Sequence, residues 1–400
     1  MKQVEVAVIG GGLAGMIAAI ALARGGRAIA LIAQPHNKAD RRTTALMDQS
    51  IRFLERLALW DRIAPSTAPL TTMQIIDGTT RLLRAPTVAF RASEIGLDAF
   101  GYNIPNAALL SALSEAVKAE GNITLIEMAA SEVTVRDDGV TVTLEDGETL
   151  DTAFVVGADG RNSMVRETVG IKVKTWSYPQ SAMVLNFAHS LPHQNISTEF
   201  HTESGPFTQV PLPGNRSSLV WVQKPAEAAA NAEKSLEDLG RLIEDRMQSM
   251  LGKVTVEDSV QVWPLSGMTA YRFGKGRTAL IGEAAHVFPP IGAQGLNLSL
   301  RDILTLVEIL ASPTGQPISA SAGGSFDRRR RVDIISRTAS VDLLNRSLLS
   351  DFLPVQMLRA AGLHVLSAIP PLRNIVMREG IEPGGGLRGF PSMLREKLRR

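Results

Sequence analysis

Three glycine turns carry the chemistry this sequence can do, and each follows a short apolar run. The first is Gly10-x-Gly12-x-x-Gly15, after "VEVAVIG" (4–10) and opening "LAGMIAAIALARGG" (13–26). Glycine at those three places allows a tight turn, lets backbone approach a pyrophosphate and packs a helix on a strand, with the helix N-terminus facing the anion. The spacing predicts dinucleotide binding, with Leu13 and Ala14 supplying helix-start amides beside Gly10, Gly12 and Gly15. An acidic residue about 20 positions on normally takes the adenosine ribose. Here "ALIAQ" ends with Ala33 and Gln34, so a neutral amide stands where a carboxylate is usual.

The second turn is "GADGRNSMVR" (157–166), with Asp159 and Gly160 after a strand and Arg161 and Arg166 around the turn that follows. Asp159 reads either as a turn or cap residue or as a ligand contact. The third, "LIGEAAHVFPPIGAQGLNLSLRD" (280–302), places one carboxylate, Glu283, after Gly282, and a leucine-rich helical pattern follows. His286, three residues on, is either a packed histidine that shapes the loop or a base able to draw a proton from a substrate. His189 and His193 have metal-pair spacing, but Pro192 excludes a helix between them, and no metal site is expected. Three strand-to-turn junctions in one chain point to a single extended ligand touched at several places.

These turns need strands before them and helices after them. "VEVAVIG" and "RAIALIA" (27–33) read as strands buried on both faces, joined by the alanine-rich helix into a right-handed βαβ unit. A second helix is expected over 44–59, and a break between Pro65 and Thr72. From 131 to 150 the period changes to two, with Asp138-Gly139 and Asp146-Gly147 as hairpin signals, so an antiparallel meander leads into the strand "FVVGADG" (154–160). Short alternating strands between 181 and 224 read as a separate sheet, a floor or lid for a substrate. A polar helix (235–250), a strand near 255–263 and the strand "RTALIG" (277–282) follow, and the remainder is mostly helical. "SASAGG" (319–324) and "PGGG" (383–386) read as linkers, and "DRRRRVD" (327–333) as a run that caps or flanks a helix.

Composition limits the alternatives. A chain of 400 residues exceeds the usual single core, so two or three domains are expected, with room to bury a large cofactor. The net charge of +2 gives no reason to expect nucleic acid. The absence of cysteine excludes disulfides, cysteine zinc sites and iron–sulfur clusters, and fits a reducing compartment. The apolar run Val6 to Ala23 is long enough for a bilayer, but Gly10, Gly11 and Gly12 interrupt it, so a cytoplasmic protein without a transmembrane segment is expected.

In their order and separation the three turns resemble the three motifs of class A flavoprotein aromatic hydroxylases, which share the p-hydroxybenzoate hydroxylase-like fold. The chain is most similar to the ubiquinone-biosynthesis hydroxylase branch of UbiH and VisC type. Supporting stretches are "DRRTTAL" (40–46), "FLERLALW" (53–60) and "RAAGLHVLSAIPPLRNIVMREGI" (359–381), so the resemblance covers residues 3 to 382. The third motif is its most diagnostic part.

The resemblance implies an α/β fold in which a discontinuous, Rossmann-like FAD-binding domain (1–70, 100–172 and 272–345) holds an inserted, mainly antiparallel substrate domain (71–99 and 173–271). A helical segment with a basic tail (346–400) follows. It implies that FAD is held at the first turn, that Asp159, Gly160 and Arg161 lie where flavin and nicotinamide approach, and that Arg42 contacts FAD. Glu283 stands where the family usually has aspartate, and would accept a hydrogen bond from a ribityl hydroxyl. Pro289 would fix backbone beside the flavin ring and Gly292 and Gly295 would leave room for it. Gln294 to Asn297, with Leu296 between, would bring helix-start amides to its N1 and O2 edge. The implied reaction uses NADPH or NADH and O2, through a flavin C4a-hydroperoxide, to hydroxylate a polyprenylated phenol or quinone precursor in ubiquinone biosynthesis. A flavin reductase or dehydrogenase of the same fold and a non-catalytic FAD-binding scaffold subunit are the alternatives. The tail "RGFPSMLREKLRR" (388–400) interleaves basic and apolar residues, compatible with peripheral contact at the inner membrane, with other ubiquinone-biosynthesis proteins or within a homo-oligomer, as well as with a solvated tail.

Overall fold

The computed structural model describes residues 4–35, 40–79, 86–289, 294–310, 316–349, 373–375 and 377–378. Val6–Ile9 is a strand with all its side chains buried, as expected of aliphatic residues in a parallel sheet covered on both faces. It lies within a six-stranded sheet ordered Gly274–Lys275, Thr278–Leu280, Phe154–Gly157, Val6–Ile9, Ile29–Ile32 and Ile123–Ile126. All neighbours are parallel except the edge hairpin Gly274–Lys275 with Thr278–Leu280. Register pairs Ile9 with Gly157 and Gly157 with Leu280. Residues that follow these three positions therefore leave the sheet at its carboxyl edge, side by side.

Helix Leu13–Arg24 is buried continuously from Gly15 to Ala23. It packs against helices Asn106–Ala119 and Gln294–Leu310 as well as the sheet, so its apolar residues surround the axis instead of forming one stripe.

The second large sheet has nine strands, with Val173–His189, Arg216–Gln223, Pro206–Leu212 and Ile196–His201 adjacent in that order. Met183, Leu185, Phe187, Leu219 and Trp221 form a core with Leu239 and Ile243 of helix Leu236–Arg246. Alternation along the strands sends Val184, Asn186, Ser218 and Val220 to the opposite face. Thr43 Oγ1 and Asn103 Nδ2 both donate to Ser218 Oγ, at 3.0 and 3.3 Å, so that face looks toward strand Thr43–Met47. The period-two region forms its own sheet, Ala130–Val135, Val140–Leu144 and Thr149–Thr152.

Local pattern misplaced several segments. The helix expected over 44–59 begins only at Asp48, because Thr43–Met47 pairs with Gly101–Pro105 as a strand; Asp48 then places a negative charge in the first helical turn. The helix Asp48–Arg56 ends before Ala58, whose φ is 44°, and Trp60–Ile63 is a separate turn of helix. "SASAGG" is no linker at its glycine end: Gly323 and Gly324 lie in helix Ala322–Leu349. A Cβ on Gly323 would come 2.2 Å from the Thr278 carbonyl oxygen, so glycine lets the helix touch the sheet edge. "DRRRRVD" runs through the interior of that same helix rather than flanking it. His286–Val287 pairs with Met268 and Thr269 in the nine-stranded sheet, while Leu280 of the same motif lies in the six-stranded one. "PGGG" and most of 346–400 lie outside the described residues, and among those described no helix is long and apolar enough to cross a membrane.

Candidate cofactor site

The three turns meet because their strands are neighbours. A Cβ on Gly10, whose φ is +116°, would lie 2.2 Å from Ala158 O, and one on Gly15 would lie 1.9 Å from Gly10 O, so the first turn packs on the second with no space for a side chain. Gly282, at φ +60°, brings the third turn onto the first helix, where its Cβ would be 3.2 Å from that of Ala14. Gly12, Gly160 and Gly295 behave differently. A Cβ on any of them meets nothing within 4 Å among the described residues.

The charged and polar groups follow the same division between packed and open. Gly12 is the N-cap of helix Leu13–Arg24 and has no side chain to cap it, so the first amides have no partner within the helix, the arrangement that suits an anion. Leu13 and Ala14 are half-buried against the core. Asp159 Oδ2 accepts from the Val165 amide at 3.1 Å, whereas its Oδ1 is buried with no hydrogen-bond partner among the described residues. A buried carboxylate oxygen left so is costly unless a ligand fills it.

Arg166 joins the second turn to the third. It is buried, and donates through Nη1 to Ala284 O at 3.0 Å and through Nη2 to Arg161 O at 2.9 Å. The sequence placed it in the second motif without giving it a role; the available signal was an arginine in the helix which that turn opens. Arg161 itself is exposed and donates to Ser266 Oγ at 2.9 Å, on the nine-stranded sheet.

Arg42 forks onto Asp40 through Nε and Nη2 at 2.9 and 2.8 Å. That pairing, with a further contribution from the field of Glu283, holds the guanidinium pKa above its usual value against the effect of burial. Arg42 and Glu283 are thus electrostatic neighbours, and Glu283 is exposed. Gln34 is exposed just beyond strand Ile29–Ile32.

In the third turn Pro289 is buried and Leu296 packs half-buried against the core; Gly292 lies outside the described residues. The Asn297 side chain is a clamp: Oδ1 accepts from the Met47 amide at 2.9 Å and Ser50 Oγ at 2.6 Å, and Nδ2 donates to Ala45 O at 2.7 Å. It fixes strand Thr43–Met47 against the start of helix Gln294–Leu310, a long-range role absent from the sequence reading. Gln294 Oε1 accepts from Arg337 at 2.8 Å.

His286 does not suit a base for substrate. Its ring is buried, 3% exposed, with Nε2 lying 2.6 Å from Oδ2 of the fully buried Asp302. A proton acceptor for substrate needs open space in front of it, and this imidazole instead pins the loop. His189 and His193 stack edge-on at 5.6 Å, with His189 Nδ1 on Leu191 O and His193 Nε2 on Leu212 O. No cluster of metal-binding side chains occurs among the described residues.

Residues 3–322 match the family described as FAD binding domain. A ubiquinone hydroxylase of Rhodospirillum rubrum is 32% identical over 98% of this chain and 94% of that protein. The 3-demethoxyubiquinol 3-hydroxylase of Escherichia coli is 30% identical over 90% of this chain and 94% of its own length. Among solved structures, the p-nitrophenol 4-monooxygenase of Pseudomonas putida superposes with a TM-score of 0.78 at 19% identity, covering 97% of this chain and 99% of that one, a likeness of fold.

Proposed function

The chain belongs to the FAD-binding-domain family, and from that premise we propose that it is an FAD-dependent monooxygenase that hydroxylates the aromatic ring of a polyprenylated phenol in ubiquinone biosynthesis, with NADPH or NADH as reductant. The observation that carries this reading is the register that aligns Ile9, Gly157 and Leu280, so that three turns far apart in sequence share one edge. The two bacterial relatives, a ubiquinone hydroxylase and a 3-demethoxyubiquinol 3-hydroxylase, support the substrate class.

The residues present fit FAD. Among the described residues, open space stands in front of Gly12, Gly160 and Gly295, Asp159 Oδ1 is a buried acceptor without a hydrogen-bond partner, and no side chain caps the start of helix Leu13–Arg24. Bound FAD would supply the activation of O2 and the transfer of one oxygen atom. The protein's part is to hold, orient and keep dry. Amides of Gly12, Leu13 and Ala14 would bind the pyrophosphate, Glu283 a ribityl hydroxyl, and Arg42 the cofactor's anionic portion. The sheet face carrying Val184 and Val220 would receive the aromatic ring, since half-buried aliphatic side chains exclude water and suit a prenylated ring. A polyprenyl substrate resides in a bilayer, and peripheral contact with the inner membrane belongs to this proposal.

Two expected results arise here. Glu283→Ala removes a single exposed acceptor, so FAD affinity falls by about 10- to 100-fold while the melting temperature without cofactor stays put. Full FAD retention by this variant, measured by absorbance after gel filtration, would show that Glu283 does not hold the ribityl chain. At the level of function, deleting the gene in its native host should cause a prenylated intermediate lacking one ring hydroxyl to accumulate, with the parent gene restoring the normal profile. An unchanged quinone profile would sink the pathway assignment.

A further inference from the structure

Behind the third turn the charges of the described residues do not balance. The fully buried Asp302 accepts from Arg330 Nε at 2.7 Å and lies 2.6 Å from His286 Nε2. Arg330 Nη1 reaches Asp333 Oδ2 at 2.7 Å, an oxygen that also lies 3.1 Å from Arg301 Nη2, and Arg337 Nε reaches Asp333 Oδ1 at 3.2 Å. Arg337 also donates through Nη1 to Gln294 at 2.8 Å, the first residue of helix Gln294–Leu310. This chain of contacts runs from His286 to Gln294. It passes through helix Ala322–Leu349, which carries Arg330, Asp333 and Arg337.

Three guanidiniums share two carboxylates in this cluster. Arg301 Nη1 and Arg330 Nη2 are buried with no hydrogen-bond acceptor among the described residues, and Asp333 Oδ2 is held there by charge contacts without an aligned hydrogen bond. Burial, aided by the charges of Arg337 and Arg330, pulls the Arg301 pKa down to about 10, although Asp333 opposes the shift. Asp333 stays below its ordinary value despite its burial, because Arg330, Arg301 and Arg337 surround it. A desolvated surplus cation is expensive to keep. It sits beside His286 and Gln294, described residues on either side of the stretch expected to touch the flavin.

We propose that the Arg301, Arg330 and Arg337 cluster clamps the third turn and holds a positive potential behind it that favours the reduced, negatively charged form of bound flavin. This rests on the FAD reading above. Two-electron reduction with uptake of one proton leaves one additional negative charge on the flavin ring, and a fixed cation nearby stabilises that product more than the neutral oxidised ring. The arginines act through position and field, and none needs to touch substrate.

The test uses FAD-loaded protein titrated anaerobically with dithionite against a reporter dye, the two electrons passing from dithionite to dye and flavin together. Arg337 is only partly buried, so Arg337→Gln removes the charge at modest risk to the fold, and Arg337→Lys keeps the charge but loses the fork. At a fixed dye potential, Arg337→Gln should lower the ratio of reduced to oxidised flavin about tenfold, a shift of about 30 mV for a two-electron couple. Arg337→Lys should stay within roughly twofold of the parent, and both variants should bind FAD more weakly because the contact with Gln294 is altered. A purely structural role would weaken binding without moving the ratio. Arg337→Gln that binds FAD and shows the parent ratio overturns this inference alone, whereas parent protein that takes up no FAD overturns the cofactor reading and this inference with it.

Discussion

Gly15→Ala is expected to yield a destabilised protein that cannot retain FAD, and Gly12→Ala an equally cofactor-free protein of normal stability. The contrast follows from what each new methyl group meets. At Gly15 it lies 1.9 Å from the backbone oxygen of Gly10 and 3.3 Å from Ala158 Cβ, and none of these neighbours is the movable end of a side chain. The first helix must then move away from its strand, which costs about 1–3 kcal/mol as overpacking does elsewhere. It also separates the first turn from the second. At Gly12 the φ of −66° suits any residue and the methyl meets nothing within 4 Å, so the change in stability should stay within about 0.5 kcal/mol. That open space is where a pyrophosphate would approach, and FAD affinity should fall by about 100-fold or more. Denaturant unfolding of the cofactor-free proteins, combined with FAD titration, separates the two effects. Equal stability losses in both variants would contradict the division of the glycines into packed and open.

Asp302→Ala is the second large effect. It leaves the Arg330 guanidinium without one of its two carboxylates and His286 without the partner of its Nε2, in a position with no exposure to water. Removing one member of a buried, paired set typically costs 3–5 kcal/mol, roughly the destabilisation expected in urea. The loss should reach function too, since His286 and Gln294, both within the third motif, depend on the same network. Asp302→Asn, which keeps the shape and one acceptor oxygen, should recover part of the stability. A loss below about 1 kcal/mol for the alanine variant would show that the network is incidental.

The strands and glycine turns of the cofactor sheet were legible because their signals are local. Aliphatic runs stop at glycine and a helix pattern begins, and the hairpin signals Asp138-Gly139 and Asp146-Gly147 fall between the strands of the meander. What joins the turns was not legible. Arg166 reaches the Ala284 carbonyl across 118 positions, and nothing near Arg166 in sequence announces that acceptor. Thr43–Met47 looked helical because its strand partner, Gly101–Pro105, lies far along the chain, and pairing overrides local preference there. The arginines of "DRRRRVD" look alike in sequence, yet Arg329 meets Glu308 at the surface whereas Arg330 is buried on Asp302. His286 stands three residues from Glu283, a spacing that suggested shared chemistry. The backbone instead turns one side chain outward and the other into the core.

If the three turns form one FAD site serving ring hydroxylation, oxygen from O2 must reach the ring, and an isotope label follows that atom. Purified FAD-loaded protein, reduced with NADPH or NADH in the absence of air and then mixed with ¹⁸O₂ and a prenylated phenol, should give hydroxylated product carrying a single ¹⁸O atom from the gas. Bound flavin that is reoxidised while the phenol returns unchanged, with hydrogen peroxide accounting for all the oxygen consumed, would rule out ring hydroxylation at this site.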